Sequence, residues 1–360
     1  MRITVVGAGN IGTQFAVHCA EKNHSVTLFG SKPERISREL SVVNEDGITI
    51  HKGTISSATS DPETAFLSAE LVFVTMPAFC MGDIAKTILP YANDGMKICL
   101  VPGTGGGECA FRKCVDKGAV VFGLQRVPSV ARLREYGKTV CATGYRSELF
   151  VSAIPNSATE ECRKIIGDIF DGMLCSALPT YLNLTLTPSN PVLHTSRLRV
   201  LYKDYKDGVI YSRVPLFYEE WTDETSELLF KCDSEVQEIC RSLDKFDLSY
   251  VKSLRIHYES ETPEALTRKI RSIKGFKGIT SPAVKVEGGF IPDFNSRYFT
   301  ADFPFGLAIL TQIADFLNLD VPNMKETLQW YNNTVSHEKE FRFSDYGIKT
   351  IDDFISFYSI

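Results

Sequence analysis

The chain lacks any apolar run approaching the roughly 20 residues that a membrane-spanning helix requires, so no membrane span is expected. It also lacks a basic surplus, because 39 Lys and Arg stand against 44 Asp and Glu for a net charge of −5. Nucleic-acid partners need a basic face to neutralise phosphates, and nothing in this balance provides one. Paired cysteines are missing as well. Ten cysteines are scattered singly from Cys19 to Cys240, with neither CxxC pairs nor metal-ligand spacing, which predicts reduced and mostly buried thiols and no metal. A charged, cleavable leader is absent too: Met1 to Gly7 run straight into a strand and a glycine turn, and the expected location is cytoplasmic.

What is present is ample chain for a core. The 360 residues are 44% hydrophobic and 23% charged, the balance of a soluble globular protein, and exceed what one core normally organises. Two domains follow as the expectation. Ile3, Val5 and Val6 form a short buried strand that stops at Gly7. From Asn10 to about Lys22 the residues Ile11, Phe15 and Cys19 recur every four positions as in a helix, and Ser25 to Phe29 supply a second strand. Strand-like runs at Leu71 to Met76, Ile98 to Val101 and Val120 to Leu124 continue the alternation, a βαβ series that implies a parallel sheet. Short runs at Thr139 to Ala142 and Leu149 to Ile154, then a helical Glu160 to Met173, close this part. Beyond Leu186 the spacing is helical almost throughout, as in Leu307, Leu310, Ile313 and Phe316. The expected architecture is therefore α/β, a doubly wound nucleotide-binding domain over 1–185 followed by a mostly helical, all-α catalytic domain over 186–360. Gly275 to Ser296, rich in Gly and Pro, reads as a long loop.

Gly7-Ala8-Gly9-Asn10-Ile11-Gly12 fits GxGxxG directly after a strand and at the opening of a helix, the context a dinucleotide fingerprint demands. Gly7 permits the turn, Gly9 lets a pyrophosphate approach the backbone, and Gly12 lets the helix pack on the strand. Unpaired NH groups at the helix start, from Asn10 and Ile11 onward, then face the phosphates. NAD enzymes usually carry an acid about 20 positions on, at the end of the second strand. Here that place reads Gly30-Ser31-Lys32, and Ser31, Lys32 and Arg35 suit a 2′-phosphate, so NADP is the expected cofactor, with NAD the alternative. The bland reading of Lys32 and Arg35 is two solvated charges.

Hydride transfer needs a proton carrier and a group that holds substrate charge. Ser189-Asn190-Pro191 reads as a helix start with Ser189 as cap, which places His194 near that N-terminus with Leu198 and Leu201 on its face. A lone histidine among such neighbours is more often a satisfied core residue. In Asp293 to Asp302, Arg297 offers a planar fork suited to a carboxylate, and Asp302 is able to orient a histidine, although a helix cap is its simpler role. Spacing alone does not join His194 to Asp302. Phe217, Tyr218 and Trp221 are candidate pocket residues, set against the commoner core role of aromatics at such spacing.

The chain resembles the octopine/nopaline (opine) dehydrogenase family from the glycine turn nearly to the C-terminus. The segments that carry the likeness are Gly7 to Gly12, Val74-Thr75-Met76-Pro77-Ala78, Val192-Leu193-His194-Thr195-Ser196, Val214-Pro215-Leu216-Phe217-Tyr218 and Val284 to Gly306. The resemblance implies a proton-transfer pair at His194 and Asp302, and an oxo-acid carboxylate held by Arg297. It implies Pro77 and Ala78 beside the cofactor, and a reductive condensation of a 2-oxo acid such as pyruvate with an amino acid through an imine. The partners so implied are small-molecule substrates, and a homodimer is compatible with it. Gly30-Ser31-Lys32 departs from the family's acidic pattern and bears on cofactor choice. Two other readings stand beside this one: a 2-oxo acid reductase resembling ketopantoate reductase, and a catalytically silent nucleotide-sensing protein.

Overall fold

The computed structural model describes residues 1–187, 190–336 and 339–360. They form two compact units, Met1–Thr185 joined by Phe354–Ile360, and Leu186–Asp353. The last seven residues therefore belong with the first unit instead of the helical one in which the sequence reading had placed them. The reason is chemical: the terminal helix Ile351–Tyr358 turns Phe354, Phe357 and Tyr358 inward, and the Tyr358 hydroxyl donates to buried Glu108 at 2.8 Å. The Ile360 carbonyl also accepts from Asn156 N at 2.7 Å.

The first unit is built on strands β1 (Arg2–Val6), β2 (Ser25–Phe29), β3 (Glu39–Val43), β4 (Thr49–Thr54), β5 (Ser57–Thr59), β6 (Leu71–Val74), β7 (Lys97–Leu100), β8 (Val120–Leu124), β9 (Val130–Glu135), β10 (Thr139–Thr143), β11 (Glu148–Ile154) and β12 (Leu174–Ala177). Eight of them lie in the order β12-β11-β8-β7-β6-β1-β2-β5, parallel except where β11 meets β8. Chain order reverses on either side of β1, so β1 and β6 flank the switch point at which open α/β sheets receive ligands. The short run at Thr139 to Ala142 lies in β10, which belongs to a separate four-stranded sheet, β4-β3-β10-β9. That sheet escapes sequence reading because β3, β4 and β9 alternate only partly between buried and exposed residues.

The second unit is mainly helical, with long helices at Asn190–Leu201, Asp223–Ser242, Pro263–Ser272, Ala308–Phe316 and Pro322–Thr334. Leu229, Cys232, Val236 and Ile239 recur at helical spacing along the second of these and are all buried. The Glu235 carboxylate accepts from the Asn323 and Met324 backbone amides at 2.8 and 2.9 Å, and so caps the Pro322–Thr334 helix where the dipole favours negative charge. Within the stretch read as loop, β13 (Ala283–Val286) and β14 (Gly289–Pro292) pair as an antiparallel hairpin. The cysteines are free thiols, most of them buried. Among the described residues no helix is long and apolar enough to cross a membrane.

Candidate functional site

In the first unit the glycine turn has the predicted form. Gly7 sits at φ +101, and a Cβ there would lie 2.9 Å from Met76 Sδ, which shows how closely the turn after β1 abuts the turn after β6. At Gly12 an added Cβ would stand 1.7 Å from the Gly7 carbonyl oxygen, so only glycine lets the Asn10–Glu21 helix close on the strand. Gly9 differs: nothing lies within 4 Å of where its Cβ would be, and it caps a helix whose N-terminus has no side-chain cap. Open space before uncapped amides is what a pyrophosphate requires, so the turn fits a dinucleotide.

The neighbouring candidates divide. Pro77 and Ala78 follow β6 at the switch point. The Asn10 Oδ1 accepts from Leu133 N of β9 at 2.8 Å, and Ile11 packs against the core, which leaves the backbone of Ile11 facing any phosphate. Ser31, Lys32 and Arg35 are exposed beyond β2, with Arg35 stacked 5.1 Å over the Tyr136 ring.

In the second unit the structure makes the join that spacing left open. The Asp302 carboxylate stands 2.8 Å from His194 Nδ1, and the Tyr218 hydroxyl 2.9 Å from His194 Nε2. A carboxylate only accepts, so Nδ1 carries the proton, and Nε2 is left with the lone pair that takes the tyrosine O–H. Burial pushes the Tyr218 hydroxyl well above its ordinary value, with Tyr298 adding to the shift, so it stays a neutral donor. His194 and Asp302 side chains are 10% and 16% exposed, enclosed but reachable.

Several features bring these groups together. Ser189, read as the cap of the histidine helix, lies outside the described residues, and that helix is described from Asn190. At Gly306 a Cβ would meet Pro191 Cγ at 2.7 Å, so the glycine lets the Phe303–Leu307 turn lie flush on the first turn of the His194 helix. Asp302 precedes that turn without capping it, and its carboxylate is directed to the histidine instead. Tyr218 is placed by Arg197, a buried guanidinium whose Nε and Nη2 donate to the Phe217 and Leu216 carbonyls at 3.0 and 3.4 Å. Burial lowers the pKa of Arg197 to about 10.

Phe217 is fully buried and meets the imidazole edge-on at 5.5 Å, so it backs the histidine and does not line a pocket; Trp221 is likewise fully buried. Tyr298 covers the histidine at 4.5 Å between ring centroids. The Arg297 side chain, one residue earlier, is exposed, and its guanidinium has no hydrogen-bond or ion-pair partner among the described residues. Sequence reasoning missed Arg197, although it falls three residues after His194 on the same helix face, and it missed Tyr298 beside Arg297.

Comparison with known proteins agrees with this division. Residues 177–335 match the family model described as NAD/NADP octopine/nopaline dehydrogenase, alpha-helical domain, and residues 3–149 match that of ketopantoate reductase PanE/ApbA. The chain is 27% identical to octopine dehydrogenase of Mizuhopecten yessoensis, covering 92% of this chain and 89% of that protein. It is 26% identical to tauropine dehydrogenase of Arabella iricolor, covering 93% and 92% respectively. The solved octopine dehydrogenase with NADH and L-arginine superposes with a TM-score of 0.87 at 24% identity, over 99% of this chain and 98% of that one. A histidine paired with an aspartate behind a glycine-turn nucleotide domain, and likeness along nearly the whole chain, lead to one conclusion: the chain belongs to the octopine/nopaline (opine) dehydrogenase family of NAD(P)-dependent oxidoreductases.

Proposed function

We propose that the chain catalyses an NAD(P)H-dependent reductive condensation, in which the amino group of an amino acid and a 2-oxo acid such as pyruvate form an imine whose carbon is then reduced. The observation that carries this reading is the Asp302–His194–Tyr218 chain of hydrogen bonds. Imine formation moves protons twice, off the attacking amine and onto the carbinolamine hydroxyl that leaves as water. His194 Nε2 suits both transfers because Asp302 holds the proton on Nδ1 and stabilises the imidazolium that forms. Tyr218 occupies the Nε2 lone pair, so a substrate amine reaches the base by displacing this hydroxyl or through it. Arg297, with no side-chain partner among the described residues, holds the oxo-acid carboxylate through its planar fork.

The dinucleotide, when bound, supplies hydride. The backbone of Gly7, Gly9, Asn10, Ile11 and Gly12 takes its phosphates, with Pro77 and Ala78 at the adjoining turn. Ser31, Lys32 and Arg35, with no carboxylate at the end of β2, favour a 2′-phosphate and hence NADPH over NADH. Comparing kcat/KM for the two cofactors checks this choice, and a clear preference for NADH overturns it.

An assay crossing oxo acids with common amino acids tests the reaction itself. Cofactor oxidation that requires both partners, with a product mass equal to the sum of the two less one oxygen, supports condensation. Oxidation with the oxo acid alone supports simple 2-oxo acid reduction, the reading favoured by the ketopantoate reductase match over residues 3–149. Tight cofactor binding without oxidation by any pair marks a silent nucleotide sensor.

A further inference from the structure

The C-terminal end of the Asn10–Glu21 helix carries a second group of ionisable side chains that the reaction above does not use. His18 and Glu21 come from this helix and His51 from β4, and one ligand atom of each lies within 4.8 Å of the others. His51 Nδ1 is 2.8 Å from Glu21 Oε2, and the two imidazole rings are 4.3 Å apart.

Their meeting is built into the packing. His18 and Glu21, three positions apart, share a helix face. His51 and Gly53, two positions apart, share a strand face. A Cβ at Gly53 would stand 2.7 Å from Ala20 Cβ and 2.8 Å from the Val17 carbonyl oxygen, so glycine alone allows the helix to lie this close on β4. That close approach delivers His51 to the ridge holding His18 and Glu21.

We propose that His18, Glu21 and His51 bind one divalent transition-metal ion of the zinc class and thereby pin the end of this helix to β4. Two imidazoles and a carboxylate are a donor set for borderline cations, and three protein ligands leave a fourth position for water. Calcium and magnesium, which prefer oxygen donors, are disfavoured. Metal–nitrogen bonds of about 2.0–2.1 Å set tetrahedral ligand atoms roughly 3.3 Å apart, within reach of small side-chain rotations from the present spacing. His18 is fixed from behind by the Phe170 ring at 4.7 Å and by the Tyr145 hydroxyl, 3.4 Å from its Nε2, an outer partner of the kind that orients metal-binding imidazoles. His51 and Glu21 are partly exposed and open the site to ions from solution.

The test uses the full-length protein freed of metal by chelation. Zn²⁺ is titrated calorimetrically, and Co²⁺ is followed by its visible spectrum, which distinguishes nitrogen and oxygen ligands from the free cysteines. The expected result is one equivalent bound without a thiolate charge-transfer band, and a thermal midpoint that rises with Zn²⁺ and falls again on chelation. His51→Ala removes a partly exposed ligand, and Glu21→Gln is the gentler second variant. Each should weaken Zn²⁺ binding by more than the roughly 10–100-fold typical of losing an outer-shell partner, and abolish the thermal rise. Equal Zn²⁺ affinity in the parent and both variants, a thiolate band with Co²⁺, or no binding by the parent at millimolar Zn²⁺ overturns the proposal.

Discussion

The glycine turn of the first unit and the histidine centre of the second are assembled over very different lengths of chain. The turn uses consecutive residues, and each glycine answers a local demand: φ +101 at Gly7, open space at Gly9, and a contact at Gly12 that any Cβ would close to 1.7 Å. The centre joins His194 to Tyr218 and to Asp302, separated by 24 and 108 positions, and depends on distant packing at Gly306 and on the Arg197 anchor. A site written in backbone geometry tolerates almost no substitution at its glycines. A site written in side-chain contacts is expected to lose chemistry while keeping its fold.

The sharpest contrast lies within the turn itself. Gly12→Ala forces its methyl into the Gly7 carbonyl, a backbone group that cannot rotate away, and should cost about 3 kcal/mol or more with loss of measurable dinucleotide binding. Gly9→Ala meets nothing within 4 Å and should keep the parent's unfolding midpoint while weakening the dinucleotide. Chemical denaturation paired with fluorescence titration separates the two, and similar stability losses for both variants would break the distinction.

In the histidine centre the next effect is chemical. Asp302→Asn keeps the shape but presents a donor to Nδ1, which moves the imidazole proton to the wrong nitrogen, and kcat should fall by roughly 10²–10⁴ with unchanged cofactor affinity. Tyr218→Phe removes the hydroxyl on Nε2 and leaves the stack on Phe276, whose ring lies 4.0 Å away, so a fall of about 10-fold is expected. A Tyr218→Phe enzyme more impaired than Asp302→Asn would reverse the order of importance along the hydrogen-bonded chain.

These contrasts explain what was legible in the chain. Gly7, Gly9 and Gly12 and the alternation through β8 follow local rules, so the nucleotide-binding fold could be read from periodicity and one turn. The His194–Asp302 pair was reachable only through family resemblance, because no local rule links residues 108 positions apart. The second sheet was missed for the weakness of its alternation, and the return of Tyr358 to Glu108 because a short amphipathic helix does not say which core it joins. Phe217 and Tyr218 were read alike as pocket aromatics, yet Tyr218 hydrogen-bonds the imidazole through its hydroxyl while Phe217 only backs the ring, a difference of side-chain direction that spacing does not encode.

The smallest expected effect concerns that returning helix. Burial raises the carboxyl pKa of Glu108, outweighing the bonds from Thr185 and Tyr358, so its neutral form is the one the fold favours. Its contribution to stability is full below the ordinary glutamate value and is lost as pH rises through the elevated folded value. Thermal midpoints should therefore fall more with rising pH in the parent than in Glu108→Gln, and parallel curves would contradict this assignment.

The most direct test of the division of labour is His194→Ala, with turnover and cofactor affinity measured side by side. The account predicts kcat reduced by roughly 10²–10⁴ with cofactor Kd unchanged within about twofold, because the histidine moves protons while the glycine turn holds the dinucleotide. Near-normal turnover by a folded His194→Ala protein would contradict it.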